Sequence, residues 1–235
     1  MTNMNPTISV YAARIEAMNA FLRRVHQWMA AGLILTAVTA HWIAASPSMI
    51  RAIYGSSVWL ILVVVELALV FALSGLINRI SATTAMGIFV VYSILNGVTL
   101  SAVLLAYTGE SVFSAFLTAA GMFGAMSVYG LYTKRDLSTW RSLLVMGLWG
   151  LLIALVVNMF LRNGVADLVI SFIGVFVFLG LTAYDTQYLR DLGGQLDLEG
   201  QDETGRKLAI MGALRLYLDF VNLFIYLLRI FGKRR

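Results

Sequence analysis

Apolar stretches alternate with short polar segments along most of the 235-residue chain. A transmembrane α-helix needs roughly 20 consecutive apolar residues, and each of these stretches is close to that length. Runs of this kind favour helices, because lipid offers no hydrogen-bond partner to an open strand edge. The pattern predicts an all-α, polytopic membrane protein with seven transmembrane helices. Their expected ranges, to within a few residues, are Val25–Ala45, Val58–Ile77, Thr84–Ala106, Ser111–Tyr132, Trp140–Leu161, Ala166–Tyr188 and Leu208–Phe231.

The spans leave little chain for anything else, so we expect one membrane domain over residues 25–231. A cytoplasmic N-terminal tail, 1–24, would precede it, and a basic tail, 232–235, would follow it. The first span is longer than the apolar core of a cleavable signal peptide. Composition agrees, since 60% of residues are hydrophobic and 12% are charged. A soluble domain of this size would need more polar surface.

The absence of cysteine excludes disulfides and thiolate metal sites, and two histidines alone make a zinc site unfavourable. We therefore expect no resident cofactor. The net charge of +5 lies in short loops and tails, which indicates membrane topology and not nucleic-acid binding. Lys and Arg are more frequent on the side of the N-terminus, which predicts that the N-terminus is cytoplasmic. The basic residues after Gly232 do not fit this charge distribution, because seven spans place them on the opposite side of the membrane. They would suit a protein with six spans whose last segment enters the membrane and returns to the same side. We favour seven spans, because Leu208–Phe231 has full length and no internal break.

Small residues at helical spacing predict the packing surfaces of the bundle. They are Ser93, Gly97 and Ser101 on the third span, Gly121 with Ala125 and Ala120 with Gly124 on the fourth, and Gly150, Ala154 and Asn158 on the fifth. Asn96 and Asn158 are expected to form interhelical hydrogen bonds. The segment Leu189–Arg206 is rich in glycine and acids but lacks EF-hand spacing, so it is interpreted as a cytoplasmic linker.

Two carboxylates interrupt the apolar runs. Asp219 lies in the seventh span and Asp185 near the end of the sixth. Such a group costs about 2.5–3.5 kcal/mol on insertion scales, so a functional role is the default hypothesis. On the seventh span the polar groups share one helical face, which predicts a buried stripe. The stripe consists of Arg215, Asp219, Asn222 and Tyr226. The chain direction places Arg79, at the end of the second span, at the depth of Asp185, with Asp219 somewhat deeper.

Simpler interpretations remain open at this point. Asp219 would pair with Arg215 one turn away, or Asp185 would only cap the following loop. Glu66, midway along the second span, is a third intramembrane acid without an obvious partner in the sequence, so a proton or a cavity is expected there.

If Asp185 and Asp219 approach each other, they cannot both ionise cheaply and would share a proton. A divalent cation would compete with that proton. Two carboxylates supply at most four oxygens, whereas Ca²⁺ takes 6–8 ligands, so a calcium site here would be weak and transient. Such a site suits passage of an ion more than its storage.

Several motifs resemble the Bax inhibitor-1 family of membrane proteins, and its bacterial branch in particular. The matching segments are Tyr92–Ser101, Phe123–Gly130, Thr133–Ser138, Gly180–Gln187 and Leu216–Phe224. The resemblance implies a seven-helix fold with the last helix central, and a pH-sensitive calcium leak in the bacterial cytoplasmic (inner) membrane. It also implies that Asp185 and Asp219 sense protons and that Arg79 latches the closed state. Ca²⁺ is then the permeant ion, not a cofactor.

Other functions compete with a leak. A regulatory partner of a membrane protein, such as a quality-control protease, is the main alternative, with the polar segment Met1–Phe21 as its handle. An intramembrane aspartyl protease is disfavoured, because neither aspartate has the Gly-x-Gly-Asp context of presenilin-type enzymes, and no other enzyme activity is expected. A proton-coupled transporter is favoured over the protease, but this sequence shows no obvious repeat with broken helices, which many such transporters have. The sequence does not determine the oligomeric state.

Overall fold

The chain is mostly helical, with short connecting turns, in the parts that the computed structural model describes, residues 6–196 and 203–235. No β-strand occurs within those ranges, so the all-α prediction is confirmed. The helices are α1 (Pro6–Ala44), α2 (Pro47–Tyr54), α3 (Val58–Leu76), α4 (Ala82–Ala106), α5 (Gly109–Tyr132), a 3₁₀ turn (Leu137–Trp140), α6 (Arg141–Leu161), α7 (Gly164–Gln195) and α8 (Glu203–Phe231).

Six of these helices are long and apolar enough to cross a membrane, and they coincide with the second to seventh predicted spans. The first predicted span lies in α1. This helix forms a seventh candidate together with the short α2, from which it is bent by 100°. The α8 helix is the most enclosed of the six, with 61% of its most apolar window buried against at most 28% elsewhere. The fold is therefore the polytopic helical one that the hydropathy pattern predicts.

The helices extend further than the apolar runs at two places. α1 is already helical from Pro6, so most of the segment predicted as a tail continues the first span, while residues 1–5 lie outside the described ranges. α7 continues to Gln195, so the first part of the predicted linker is helix. Residues 197–202, the centre of that linker, lie outside the described ranges.

Local sequence explains where several helices begin and end. Both prolines of the chain, Pro6 and Pro47, are the first residues of helices, where a missing backbone N–H is harmless. Thr108 caps α5 by accepting a hydrogen bond from the backbone N–H of Ser111. α6 ends at Leu161, and its C-cap is Arg162, whose φ of 51° makes it the one non-glycine residue of the described ranges in a left-handed conformation.

The first of two compact units contains the described residues up to Ala102 together with Leu189–Leu214. Here α1 and α4 approach closely, because a Cβ on Gly97 would lie 2.6 Å from the backbone oxygen of Thr36. The Thr36 hydroxyl donates to the backbone oxygen of Ser93 at 2.8 Å. Ser93 and Ser101 are fully buried. The predicted packing surface on the third span is therefore confirmed.

The second unit contains Val103–Tyr188 and Arg215–Arg235. Edge-to-face contacts join Phe220 of α8 to Phe116 and Phe123 of α5, with ring centroids 5.5 and 5.6 Å apart. After α8 the chain lies along the α4–α5 turn, where the backbone N–H of Thr108 donates to the oxygen of Lys233 at 3.0 Å. α8 itself is one continuous helix of 29 residues, so a last segment that dips in and returns is not observed.

Two of the predicted packing surfaces are wrong. A Cβ on Gly121, Gly124 or Gly150 would meet no atom within 4 Å. The buried side of α5 is another face, which includes Ala115, Ala119 and Phe123. Small residues are frequent in all membrane helices, so their spacing alone does not identify the face that meets a neighbour.

Candidate functional site

Asp185 lies within α7 and is 7% exposed. The helix continues for more than two turns beyond it, to Gln195, so Asp185 does not cap a loop. α5 packs against this part of α7 because Gly130 has no side chain, and a Cβ there would collide with the backbone oxygen of Ala183. One turn further on, the hydroxyl of Thr186 lies 3.4 Å from that of Ser127. A close helix contact thus encloses the carboxylate.

Arg215 of α8 is the ion-pair partner of Asp185. Its Nη1 donates to Oδ1 of Asp185 at 3.2 Å. The guanidinium carbon also lies 5.0 Å from the centre of the Tyr188 ring, within the range of a cation–π contact. The Arg215 side chain is 39% exposed. The simple alternative, in which Arg215 pairs with Asp219 on its own helix, is therefore wrong.

Asp219 follows Arg215 by one turn of α8, about 6 Å along the helix axis. It is 4% exposed, and no group of the described residues donates a hydrogen bond to its Oδ2. The charged groups that act on it are Asp185 and Arg215. The three side chains therefore form one electrostatic cluster, in which two acids lie beside one guanidinium. We refer to Asp185, Arg215 and Asp219 as the acid cluster.

The other members of the predicted polar stripe have local roles. The Asn222 amide donates to the backbone oxygen of Leu218, one turn back on its own helix, at 2.8 Å. Tyr226 packs against Gly174 of α7, where any Cβ would lie 2.7 Å from the Tyr226 ring. Its ring centroid is 5.8 Å from that of Phe178. Tyr226 therefore packs α8 against α7, whereas the described hydrogen bond of Asn222 stays within α8.

Glu66 lies in the first unit and has partners that the sequence did not reveal. The Asn96 amide donates to its Oε2 at 3.3 Å, and the Thr99 hydroxyl donates to its Oε1 at 3.0 Å. Both donors come from α4, so the expected interhelical role of Asn96 is confirmed. Asn158 behaves differently, because its oxygen accepts from the backbone N–H of Asn163 just after its own helix. The expectation of an interhelical bond from Asn158 is therefore wrong.

Arg79, the expected latch, is exposed in the turn that follows α3 and belongs to the first unit. Its backbone N–H donates to the oxygen of Leu76 at 2.8 Å. The ion pair of Asp185 is formed by Arg215 instead. The latch role of Arg79 stays a prediction.

Two residues near the acid cluster were missed from the sequence. The charge of Arg141, at the start of α6, acts on Asp185. Gln187, two residues after Asp185, holds the segment before α6 with two hydrogen bonds of 2.8 Å. It donates to the oxygen of Arg135 and accepts from the N–H of Leu137. The segment with Arg135 and Leu137 and the segment with Gln187 both belong to motifs of the family resemblance. Nothing in the sequence spacing of these motifs indicated that the two segments meet.

The chemistry of the acid cluster is that of an ionisable, weakly ligating site. Among the residues that the structure describes, no group of three or more His, Cys, Asp or Glu side chains could hold a metal ion. Asp185 and Asp219 offer carboxylate oxygens only, and Arg215 opposes a cation at Asp185. Any cation would bind here in competition with a proton and with the guanidinium.

Comparison with known proteins supplies the family. The family described as "Inhibitor of apoptosis-promoting Bax1" matches residues 18–235. The chain belongs to the Bax inhibitor-1 family. Within it, the chain is 46% identical over 219 residues to the inner membrane protein YbhL of Escherichia coli, covering 93% of each chain. It is 44% identical over 221 residues to an uncharacterized protein of Deinococcus radiodurans, covering 94% of this chain and 93% of that one.

The match places every member of the acid cluster, together with Glu66 and Arg79, inside the part of the chain that the Bax inhibitor-1 family covers. An uncharacterized protein of Borreliella burgdorferi is 42% identical over 218 residues, covering 92% of this chain and 93% of that one. These relatives establish a membrane protein of the Bax inhibitor-1 family.

Proposed function

We propose that this protein is a pH-sensitive calcium leak of the bacterial cytoplasmic membrane. Ca²⁺ passes down its gradient, and a proton shared by Asp185 and Asp219 controls the passage. The location is supported by the Escherichia coli relative, an inner membrane protein, and by the apolar helices of the chain. Membership of the Bax inhibitor-1 family supports a calcium leak, and the buried acids Asp185 and Asp219 are the residues of this chain that would control it.

The observation that carries this proposal is the charge balance of the acid cluster. Asp185 has the guanidinium of Arg215 at 3.2 Å, whereas Oδ2 of the buried Asp219 has no hydrogen-bond donor among the described residues. Two carboxylates and one guanidinium would carry a net negative charge inside an apolar region. The charge of Arg141 acts on Asp185 and not on Asp219, so it does not offset that charge at Asp219. A low dielectric makes that charge costly, so the cluster takes up either a proton or a cation.

The gating step follows from this competition. When the cluster holds a proton it has no affinity for Ca²⁺, and Arg215 keeps its bond to Asp185. When the proton leaves, the two acids repel each other, and a cation or a rearrangement of the helices must compensate. Arg79 is retained as the expected latch of the closed state, on the strength of the family resemblance alone.

Flux measurements on the reconstituted protein test the proposal. The full chain is incorporated into liposomes that contain a calcium indicator, and Ca²⁺ entry is followed over a series of pH values. The wild type should pass Ca²⁺ at a rate that changes with pH. Asp185→Asn and Asp219→Asn should each flatten this dependence, since an amide cannot hold the shared proton.

Glu110→Gln serves as the matched control, because Glu110 is an exposed acid in the first turn of α5, outside the acid cluster. It should keep the pH profile of the wild type. Liposomes that pass no Ca²⁺ at any pH, or an unchanged profile in both asparagine variants, would show the proposal to be wrong.

A second candidate is a regulatory partner of a membrane protein such as a quality-control protease. It is favoured by the length of α1, which has 39 residues where about 20 cross the hydrocarbon core. The excess lies on the N-terminal side of the apolar run and offers a helical surface outside the lipid. A chain that lacks residues 1–21 should lose binding to such a partner but keep the calcium flux. Unchanged partner binding after this deletion would exclude the segment as the handle.

A further inference from the structure

A groove of about 360 Å³ opens between the ends of three helices in the second unit. The residues that line it are Leu155, Val156, Asn158, Met159, Asp167 and Arg229. The first four belong to the last turns of α6, Asp167 to the first turn of α7, and Arg229 to the last turn of α8. All three helices are candidate spans, so this is the level at which a span leaves the hydrocarbon and meets lipid headgroups.

The polar end of the groove is an ion pair. Nη1 of Arg229 donates to Oδ1 of Asp167 at 3.1 Å, and the two side chains remain 33% and 28% exposed. The Arg229 guanidinium also lies 6.0 Å from the centre of the Tyr226 ring, which helps to hold it in place. The pair occupies only part of the hydrogen-bonding capacity of its members, since a guanidinium has five N–H donors and a carboxylate two oxygens. One positive and one negative group therefore stand side by side, each with capacity for another partner.

The other end of the groove is apolar. Val156 and Met159 occupy one face of α6, and they are 55% and 64% exposed. Leu155, one turn before Met159, completes the wall. Each residue towards the helix centre lies ~1.5 Å deeper in the membrane, so this wall continues from the ion pair into the hydrocarbon. An occupant must then carry a charged head and an apolar chain.

We propose that this groove binds one phospholipid with a phosphoethanolamine headgroup. Arg229 would hold the phosphate through charge-assisted hydrogen bonds, and Asp167 would accept hydrogen bonds from the primary ammonium group. An acyl chain would lie against Val156 and Met159. The order of charges in the headgroup complements the ion pair, whose net charge is zero. Binding of this lipid does not require ion conduction, so it is independent of the proposed leak.

Related headgroups satisfy only part of the site. A phosphocholine head carries a quaternary nitrogen without N–H donors, so it offers nothing to the carboxylate of Asp167. A phosphoglycerol head carries the phosphate but no cation, and its negative charge would stay beside Asp167. A charge-assisted hydrogen bond contributes about 1.5–3 kcal/mol, which corresponds to about tenfold in affinity or more. The site should therefore prefer the ethanolamine lipid by about tenfold over both others.

Native mass spectrometry of the full chain in detergent tests this preference. The protein is titrated with phosphatidylethanolamine, phosphatidylcholine and phosphatidylglycerol of identical acyl chains, and lipid-bound species are counted. Asp167→Asn should lower the affinity for the ethanolamine lipid about tenfold, to that of the choline lipid. Arg229→Gln should weaken all three lipids. Glu110→Gln, which removes an exposed acid outside the groove, should bind as the wild type does.

A second pair of variants leaves the charged residues intact. Leu155→Trp should fill the groove and reduce binding of the ethanolamine lipid, whereas Val157→Trp, on an exposed position on the opposite side of α6, should not. Equal affinity of the wild type for the three lipids would overturn the proposal. An Asp167→Asn variant that still prefers the ethanolamine lipid would also overturn it. This holds even if the variant changes the calcium flux, because the lipid site is proposed independently of the leak.

Discussion

Glu66 and Asp219 are both buried carboxylates inside helices that could span a membrane, yet their surroundings differ. Both oxygens of Glu66 accept hydrogen bonds, one from Asn96 and one from Thr99. Oδ2 of Asp219 has no donor among the described residues, and its charged neighbours are Asp185 and Arg215. Glu66 has neutral donors at both of its oxygens, whereas Asp219 shares the cation Arg215 with a second acid, Asp185.

The difference favours a structural role for Glu66 and is consistent with the switching role that we propose for Asp219. Neutral donors on α4 hold Glu66 in one geometry, and the same bonds join α3 to α4. A fully satisfied buried network makes a structure more rigid. Oδ2 of Asp219 has no such bond among the described residues, and the charge of Asp185 acts on Asp219, so a proton or a cation would change the charge balance of both acids. A carboxylate in a membrane helix is therefore not by itself evidence of a functional site. Its hydrogen-bond partners distinguish a structural role from a functional one.

The largest expected contrast lies in calcium flux. Asp219→Asn should flatten the pH profile of Ca²⁺ entry into liposomes, and Glu66→Gln should preserve it. Glutamine can keep both contacts, because its amide oxygen can accept from Asn96 and its NH₂ can donate to the Thr99 hydroxyl oxygen. The two variants should differ about tenfold in their flux response across one pH unit, which is the ideal response of a single titrating group. A flat profile for Glu66→Gln would remove the distinction between the two acids.

Arg215→Gln should give the next largest effect, in thermal unfolding. It removes the guanidinium that balances Asp185 and Asp219, so the two negative charges act on each other without it. The loss should lie between the ~1 kcal/mol of an exposed ion pair and the ~3–5 kcal/mol of a broken buried one, since Arg215 is half-buried. Acidification supplies protons to the two acids, so the melting temperature relative to the wild type should recover at low pH.

The control for this variant is Arg162→Gln, because Arg162 is exposed at the end of α6 and belongs to no described ion pair. It should melt as the wild type does at every pH. A loss of stability in Arg215→Gln that is the same at low and neutral pH would show that the guanidinium packs without balancing the acids.

A smaller effect is expected from Thr99→Val, which makes Glu66 resemble Asp219 by removing one of its donors. The loss of one hydrogen bond should lower the free energy of unfolding by about 0.5–1.5 kcal/mol. Thr99→Ser keeps the hydroxyl and should remain close to the wild type in chemical unfolding. Equal stability of the valine and serine variants would mean that the 3.0 Å contact contributes nothing.

The sequence was most informative where one physical effect dominates. The length of each apolar run determined the spans, because a lipid-exposed backbone must be helical. The ends were less predictable, since α1 and α7 continue as helices into polar sequence where no rule of lipid contact applies. The family motifs identified the segments that carry Asp185 and Asp219, whereas their roles stay predictions.

The partners of the charged side chains could not be predicted. Arg215 lies one turn from Asp219 on the same helix, so local spacing favoured that pair, but the side chain reaches Asp185 on α7. Asn96 and Thr99 reach Glu66 from another helix. Both outcomes depend on how far one helix is rotated and shifted against its neighbour. A single sequence carries no measure of that register.

Asp136 extends the comparison to an acid outside the membrane, and the expected effect is the smallest. Its Oδ1 accepts from the backbone N–H of Ser138 at 2.8 Å and caps the 3₁₀ turn. Hydrogen bonds from the Ser138 side chain, and then from its backbone, lower the pKa of Asp136 below its ordinary value. A lowered pKa means that the ionised form stabilises the fold. This contribution to stability is complete above the ordinary pKa and is lost as the pH falls through the lowered pKa.

A carboxyl NMR titration of Asp136 should therefore give a midpoint below that of a model aspartate. Asp136→Asn should leave the melting temperature at neutral pH almost unchanged, since asparagine also caps helices, and Asp136→Ala should lower it slightly. A midpoint at or above the model value would show that Ser138 does not stabilise the ionised carboxylate.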